Sequence, residues 1–440
     1  MNQTEQEKDK VGLSFQRKIF PVNIGSSLIS YSTILFFMYL GDSLMSYVTP
    51  NYLDKNLGST TLTGILMSFV SSIGIFSSLL IGEYFKRKTY YFFVKYMLLA
   101  SLLFPLSLIL FQPVPLVLIL AMALWGIYPE FSHFANAKFI STEVKAEKHS
   151  SSWSVLLTFK YLSYTIGPII AGLIIDRGQH TVFVFAVIFV LISIIGFFVL
   201  LKTKVKRAPK TIPLPIPVDS ELLKVETKKV RKIRIWNEIK VWKTLTKVLW
   251  HLVLFLFMVT FIDSAFWTLG PIISESFKKQ GVQGELLLFF YMVPSVLIPP
   301  LTRRFQNKYS KKKISFITSL IACIFLALSG LTSNAYLFLG LILIYSVISA
   351  LISPLLNGVF SDYVGRLKET ANNLIAFEGF IMDLSYICAP IIAGYISDRT
   401  SPQQTFFYIG FIGVIVSILM LFVVPRKIHM PQQQLRQQIQ

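Results

Sequence analysis

Residues 162–177 read LSYTIGPIIAGLIIDR, and residues 384–399 read LSYICAPIIAGYISDR. Eleven of the sixteen positions are identical at an offset of 222, from Leu162 and Leu384 through Pro168 and Pro390 to Arg177 and Arg399. A second match falls in nearly the same register. Asp42-Ser43 stands eight residues before Pro50, and Asp263-Ser264 stands eight before Pro271, an offset of 221. Internal repetition constrains architecture before any local reading does. A period of half the chain, in an apolar sequence, points to two homologous membrane-embedded halves rather than a solenoid.

Working outward from the repeat, 54% of the 440 residues are hydrophobic and only 15% are charged. Apolar runs of about 20 residues match the length of helix needed to cross about 30 Å of hydrocarbon. Twelve such spans are expected, near 23–50, 60–82, 89–111, 115–138, 151–175, 180–201, 248–275, 284–302, 314–332, 335–360, 373–397 and 403–425. They read as helices, because a helix satisfies its own backbone in lipid and the alternation of a membrane barrel is absent. The expected fold is therefore all-α and integral to the membrane, with twelve transmembrane helices in two pseudo-symmetric six-helix halves. Residues 1–201 form the first half, 202–247 a basic cytoplasmic linker, and 248–440 the second half. Residues 1–18 are polar and carry both signs of charge, so the first apolar run reads as a span and not as a cleaved signal.

The formal charge of +20 invites a nucleic-acid reading, but its distribution points elsewhere. With the N-terminus in the cytoplasm, 35 of the 42 Lys and Arg residues fall in cytoplasmic segments and five in outer loops. That asymmetry is the positive-inside pattern, and it places both termini in the cytoplasm with no nucleic-acid partner. The linker opens with a proline-rich piece, Pro209 to Pro217, and turns basic. Beyond it Ile235, Ile239, Trp242, Leu245 and Leu249 share a helical face, with Lys240, Lys243 and Lys247 to one side, the pattern of a helix resting on a membrane surface. Cys323 and Cys388 both lie inside apolar runs and read as packing residues.

Twelve spans in two repeated halves, joined by a long basic loop, resemble the major facilitator superfamily over roughly residues 20–425. Gly167-Pro168 with Ala171-Gly172 resembles the fifth-span glycine-proline motif of proton-coupled drug antiporters, with Leu162 standing where a further glycine is usual. The loop Gly82-Glu83-Tyr84-Phe85-Lys86-Arg87-Lys88 keeps the glycine and basic end of the family's loop after the second span and lacks its Asp. The resemblance implies a central cavity lined by the first, fourth, seventh and tenth spans. No Gly-x-x-x-x-Gly-Lys-Ser/Thr loop is present, so any transport draws on a gradient and not on an ATP motor in this chain.

Five carboxylates fall inside expected spans: Asp42, Glu130, Asp263, Glu378 and Asp383. Ionisable groups in a bilayer are costly and face a cavity or a partner. Asp42 and Asp263 are symmetry mates, read either as proton carriers or as features of a bend near the downstream proline. Glu130 and His133 share a face of the fourth span, and Lys160 stands at a depth that suits a pair with Glu130. Glu378 and Asp383 have no counterpart in the first half, where Leu156 and Tyr161 stand. Gly167, Pro168, Gly172, Pro390 and Gly394 read as a helix-bend motif.

The chain reads as a secondary active transporter, proton-coupled, exporting amphipathic or drug-like solutes. An uptake symporter for a small metabolite is the alternative within that class. A receptor or scaffold with a transporter fold and no flux is the alternative outside it. The partners expected are a small-molecule substrate, protons and the lipid bilayer of the cell membrane, with the chain acting as a monomer. No enzymatic constellation, metal set or cofactor motif is read.

Overall fold

Proline and glycine divide the apolar sequence into helices. The computed structural model describes residues 26–85, 88–144, 149–207, 235–278, 280–281, 283–298, 311–367 and 371–425. Thirteen helices cover most of these: α1 (Ser26–Leu57), α2 (Thr60–Tyr84), α3 (Tyr90–Leu110), α4 (Pro115–Glu143), α5 (His149–Ile175), α6 (Gln179–Arg207), α7 (Ile235–Lys278), α8 (Leu286–Leu297), α9 (Lys311–Ser329), α10 (Ala335–Ser349), α11 (Ile352–Leu367), α12 (Ala371–Arg399) and α13 (Pro402–Val423). Eleven candidate spans are long and apolar enough to cross a membrane, and α8 is a shorter apolar helix. Among the described residues there is no strand. The protein is a multi-pass, all-helical membrane protein. Gly58, at φ +65°, makes the left-handed turn between α1 and α2 that a side chain would resist. Pro115 and Pro402 open α4 and α13, and Asn334 caps α10 by accepting from the backbone N–H groups of Tyr336 and Leu337.

The expected tenth span is two helices. Pro354 has no N–H to give the carbonyl of Ala350, and its ring crowds that carbonyl, so α10 ends at Ser349 and α11 begins at Ile352. The seventh span departs in the other direction. α7 is one uninterrupted helix of 44 residues, about 66 Å long at 1.5 Å per residue. Its first turns do not form a separate surface helix. Val241, Leu245 and Leu249 are buried in protein, and Trp242 packs on Phe377 and Phe380 of α12 with ring centroids 6.0 and 4.8 Å apart. Lys240, Lys243 and Lys247 take the open side. Of the apolar stripe expected to meet lipid, Trp242, Leu245 and Leu249 meet protein instead. Residues 208–234, the interior of the connector, lie outside the described residues.

Two compact units emerge, one of residues 1–49 with 73–201 and one of 50–72 with 202–440. In the first, α1 is held closely by its neighbours. A Cβ at Gly41 would come 2.9 Å from the carbonyl oxygen of Ala186 on α6, and one at Gly167 on α5 would overlap Ser43. Ser193 and Ser163 donate to the α1 carbonyls of Ile34 and Phe36 at 2.8 and 3.0 Å. Small residues that let helices approach, with side-chain hydroxyls bonding across, replace the hydrophobic driving force that lipid removes.

In the second unit, α7 packs on α12 and α9 packs on α13. A Cβ at Gly410 would meet Ala327, and one at Gly413 would come 2.6 Å from the buried Sγ of Cys323. Residues 50–72 join this unit because α12 caps α2. Asp398 accepts from the backbone N–H groups of Thr60 and Thr61 at 2.8 and 2.9 Å, and from the hydroxyls of Ser59 and Thr61 at 2.8 and 2.6 Å. Below the cap, a Cβ at Gly64 would overlap the carbonyl of Pro390, and Ser68 donates to the carbonyl of Ile387 at 2.5 Å. A Cβ at Gly394 would overlap the carbonyl of Thr60, and Lys55 pairs with Glu275 at 3.1 Å.

Candidate functional site

Each unit holds one aspartate inside a cage of aromatic donors. Asp42 lies on α1, buried, between α4 and α5. Trp125 of α4 donates its indole Nε1 to Oδ1 at 2.9 Å, and Tyr164 of α5 donates its hydroxyl to Oδ2. Tyr128, also on α4, lines the same small cavity as the carboxylate. Phe104 of α3 stacks on Trp125 at 5.0 Å and fixes the indole plane. Beside the carboxylate is a cavity of about 10 Å³, lined by Gly41, Asp42, Ser101 and Tyr128 among others, with room for one water.

Asp263 lies on α7 in the second unit. Tyr291 of α8 donates to Oδ1 at 2.5 Å, and Tyr386 of α12 donates to Oδ2. Tyr291 stacks in turn on the ring of Phe266, 3.6 Å away and nearly parallel, and the ring of Tyr345 lies 6.3 Å from it. The two cages share one donor by symmetry, since Tyr164 and Tyr386 are the tyrosines of the repeated stretch. The second donor differs: the fourth span supplies it in one unit and the eighth in the other. A charge at the bilayer centre costs about 2.5–3.5 kcal/mol on insertion scales. Hydrogen bonds to charged groups contribute about 1.5–3 kcal/mol each, so two donors offset that cost.

The repeated Leu-Ser-Tyr thus acquires a structural meaning. Ser163 ties α5 to α1, and Ser385 meets Thr260 of α7 through their hydroxyls, while the next residue in each case reaches the aspartate. Lys160, one turn before Tyr164, lies over the rings of Tyr39 and Tyr164 at 5.5 and 5.9 Å and acts electrostatically on Asp42 and His133. The structure therefore brings Asp42, Lys160 and His133 into one neighbourhood. Glu130, half-buried on α4, approaches α2 instead, its Oε1 3.5 Å from where a Gly74 Cβ would stand. Glu378 and Asp383 lie on α12 apart from the Asp263 cage, Glu378 half-buried and Asp383 exposed. Gly167, Pro168, Gly172, Pro390 and Gly394 are all buried.

One polar chain is absent from the sequence reading. Tyr31 donates to Asn136 Oδ1 at 2.8 Å, Asn136 Nδ2 donates to Tyr39 at 3.3 Å, and the Tyr39 hydroxyl meets that of Ser132 at 2.7 Å. The signal was there in spacing, with Tyr31 and Tyr39 two turns apart on α1 and Ser132 and Asn136 one turn apart on α4.

A family model described as Major Facilitator Superfamily matches residues 31–377 and, again, 252–438. The chain belongs to the major facilitator superfamily. The two overlapping matches cover both copies of the repeat. Among solved structures, a peptide transporter POT in complex with sulfate aligns with a TM-score of 0.69 at 13% identity, covering 91% of this chain and 94% of its own. The nucleoside transporter NupG aligns with a TM-score of 0.67 at 11% identity, covering 91% and 100%. At such identities the likeness shows the superfamily fold. A search of curated proteins found no match. The protein is a secondary transporter of the major facilitator type and not an enzyme.

Proposed function

We propose that this transporter is proton-coupled and that Asp42 and Asp263 are its proton-carrying groups. The supporting observation is the caging of each aspartate by hydroxyl groups that can either donate or accept. In the charged form each carboxylate accepts from its donors. Indole nitrogen can only donate, so while Trp125 stays bound Oδ1 of Asp42 must remain an acceptor. A proton taken up by Asp42 then belongs on Oδ2, and Tyr164 turns from donor to acceptor. At Asp263 both partners are hydroxyls, and either oxygen can take the proton. Protonation is thereby tied to a change of hydrogen-bond direction at the fifth span in one half, and at the eighth or the eleventh in the other. In this reading six helices per half enclose the path, 202–247 and both termini face the cytoplasm, the membrane is that of the cell, and the chain works as a monomer. Glu130, His133, Lys160, Glu378 and Asp383 serve the cargo or its charge balance.

The glycine-proline motif of the fifth span supports antiport, with amphipathic solutes exported against protons. The peptide and nucleoside transporters that share the fold favour a second reading, uptake symport. Proteoliposomes loaded with a pH-sensitive dye separate the two. Entry of external ethidium in exchange for protons makes the lumen alkaline, whereas entry of dialanine or uridine with protons makes it acidic. Asp42→Asn and Asp263→Asn keep the shape of the site, and at least one is expected to abolish the pH change while binding persists. If both respond like the wild type, the two aspartates are not the coupling groups.

A further inference from the structure

Three of the donors that hold the two aspartates share a position relative to proline. Trp125 stands four residues before Pro129, Tyr164 four before Pro168, and Tyr386 four before Pro390. All three prolines lie inside continuous helices. A helical proline has no N–H to offer the carbonyl four residues earlier, and its ring pushes that carbonyl aside. The carbonyl relieved of its helical partner is, in each case, that of the residue whose side chain reaches an aspartate. Tyr128 and Tyr291 do not share this spacing, being one and three residues before Pro129 and Pro294.

We infer that Pro129, Pro168 and Pro390 are positioning residues for proton coupling: each makes the turn carrying an aspartate's donor the compliant point of its helix, so that the donor's grip and the helix bend move together. The inference rests on the reading of Asp42 and Asp263 as proton carriers. Its physical content is local. A helix turn with all its bonds resists displacement of its side chains, whereas one missing a bond can bend about that residue. When Tyr164 or Tyr386 turns from donor to acceptor, its oxygen must shift relative to the carboxyl. The turn that bears it is the one free to follow. The close fit on the far side sharpens the effect. Gly167 lies against Ser43 of α1, next to Asp42 itself, so a bend at Tyr164 is felt at the aspartate's own backbone. The repeated stretch keeps Ser, Tyr and Pro in one register in both halves, the parts such a device needs.

The groups that face Asp42 and influence its proton are Tyr128 and Trp125 from α4, Tyr164 and Lys160 from α5, and Tyr39 from α1 by way of Lys160. Those that face Asp263 are Tyr291 from α8, Tyr386 from α12 and Tyr345 from α10. The prolines act on these groups by placement and contribute no charge of their own.

Infrared titration of the purified, ligand-free protein tests this. The C=O stretch of a protonated carboxyl, assigned by its loss in Asp42→Asn and in Asp263→Asn, gives each group's midpoint. Pro168→Ala restores the missing helical bond and is expected to displace the Asp42 midpoint by about one pH unit, tenfold in proton affinity. Pro390→Ala should do the same at Asp263. In a Tyr164→Phe background Pro168→Ala should add nothing, because the donor through which it acts is gone, and likewise for Pro390→Ala with Tyr386→Phe. Thermal unfolding verifies that each variant is folded. Unchanged midpoints in the proline variants, or shifts that simply add in the double variants, overturn the inference. If neither aspartate variant removes a titrating band, the proton-carrier reading itself fails, a different result.

Discussion

At the scale of the residue, Asp42 and Asp263 were conspicuous in the sequence because a carboxylate inside an apolar run is rare and costly. Their partners were not. Tyr164, Tyr291 and Tyr386 are three of 19 tyrosines, and nothing in one-dimensional spacing separates a hydroxyl aimed at a carboxylate from one at the lipid boundary. Removing a single donor tests the worth of the cage. Trp125→Phe keeps the stacking on Phe104 and deletes the indole N–H, and a loss of about 1.5–3 kcal/mol is expected in thermal unfolding in detergent. The glycines offer a sharper contrast. Gly64→Ala sets a methyl group into the Pro390 carbonyl and should cost about 1–3 kcal/mol. Gly340 has open space around its Cβ position, and Gly340→Ala should be neutral or slightly stabilising through helix propensity. Equal effects at the two positions in the same unfolding assay would contradict the close α2–α12 approach.

At the scale of the element, the sequence located the spans because length and hydropathy are summed over many residues. It missed the break between α10 and α11, since Pro354 stands in a run apolar enough to look continuous. It also assigned the start of α7 to a membrane surface. Apolar spacing shows that a helix buries one face, but Val241, Leu245 and Leu249 look the same whether they meet lipid or protein. The cap on α2 was equally hidden: the partners of Asp398 at Ser59, Thr60 and Thr61 lie more than 330 residues away in sequence. Asp398→Ala removes four hydrogen bonds from the first turn of α2. Loss of a helix cap costs about 0.5–2 kcal/mol, and exchange of the Thr60 and Thr61 amides should accelerate several-fold in a deuterium-exchange experiment. Unaltered exchange would show that the turn is held by packing at Gly64 and not by the carboxylate.

At the scale of the whole molecule, the repeat and the apolar periodicity made the twelve-span design legible, because both are properties of long stretches that no single contact can disguise. Orientation rests on the distribution of basic residues and is open to a direct test. Single cysteines at Lys243 and Gln403 should label from opposite sides of the membrane, Lys243 from the cytoplasm and Gln403 from outside. Labelling of Lys243 from outside would invert the assignment of the connector. The length of α7 carries one more implication. Asp263 and Ile235 are 28 residues apart on one unbroken helix, about 42 Å by its rise per residue. A helix of that reach, if it pivots beside the aspartate, would act as a lever. A tilt of about 5° there, hardly visible among neighbouring side chains, sweeps the far end through about 4 Å by the same geometry. A displacement at the half-buried Asp263 would thus be magnified at Ile235, where the connector takes up the chain.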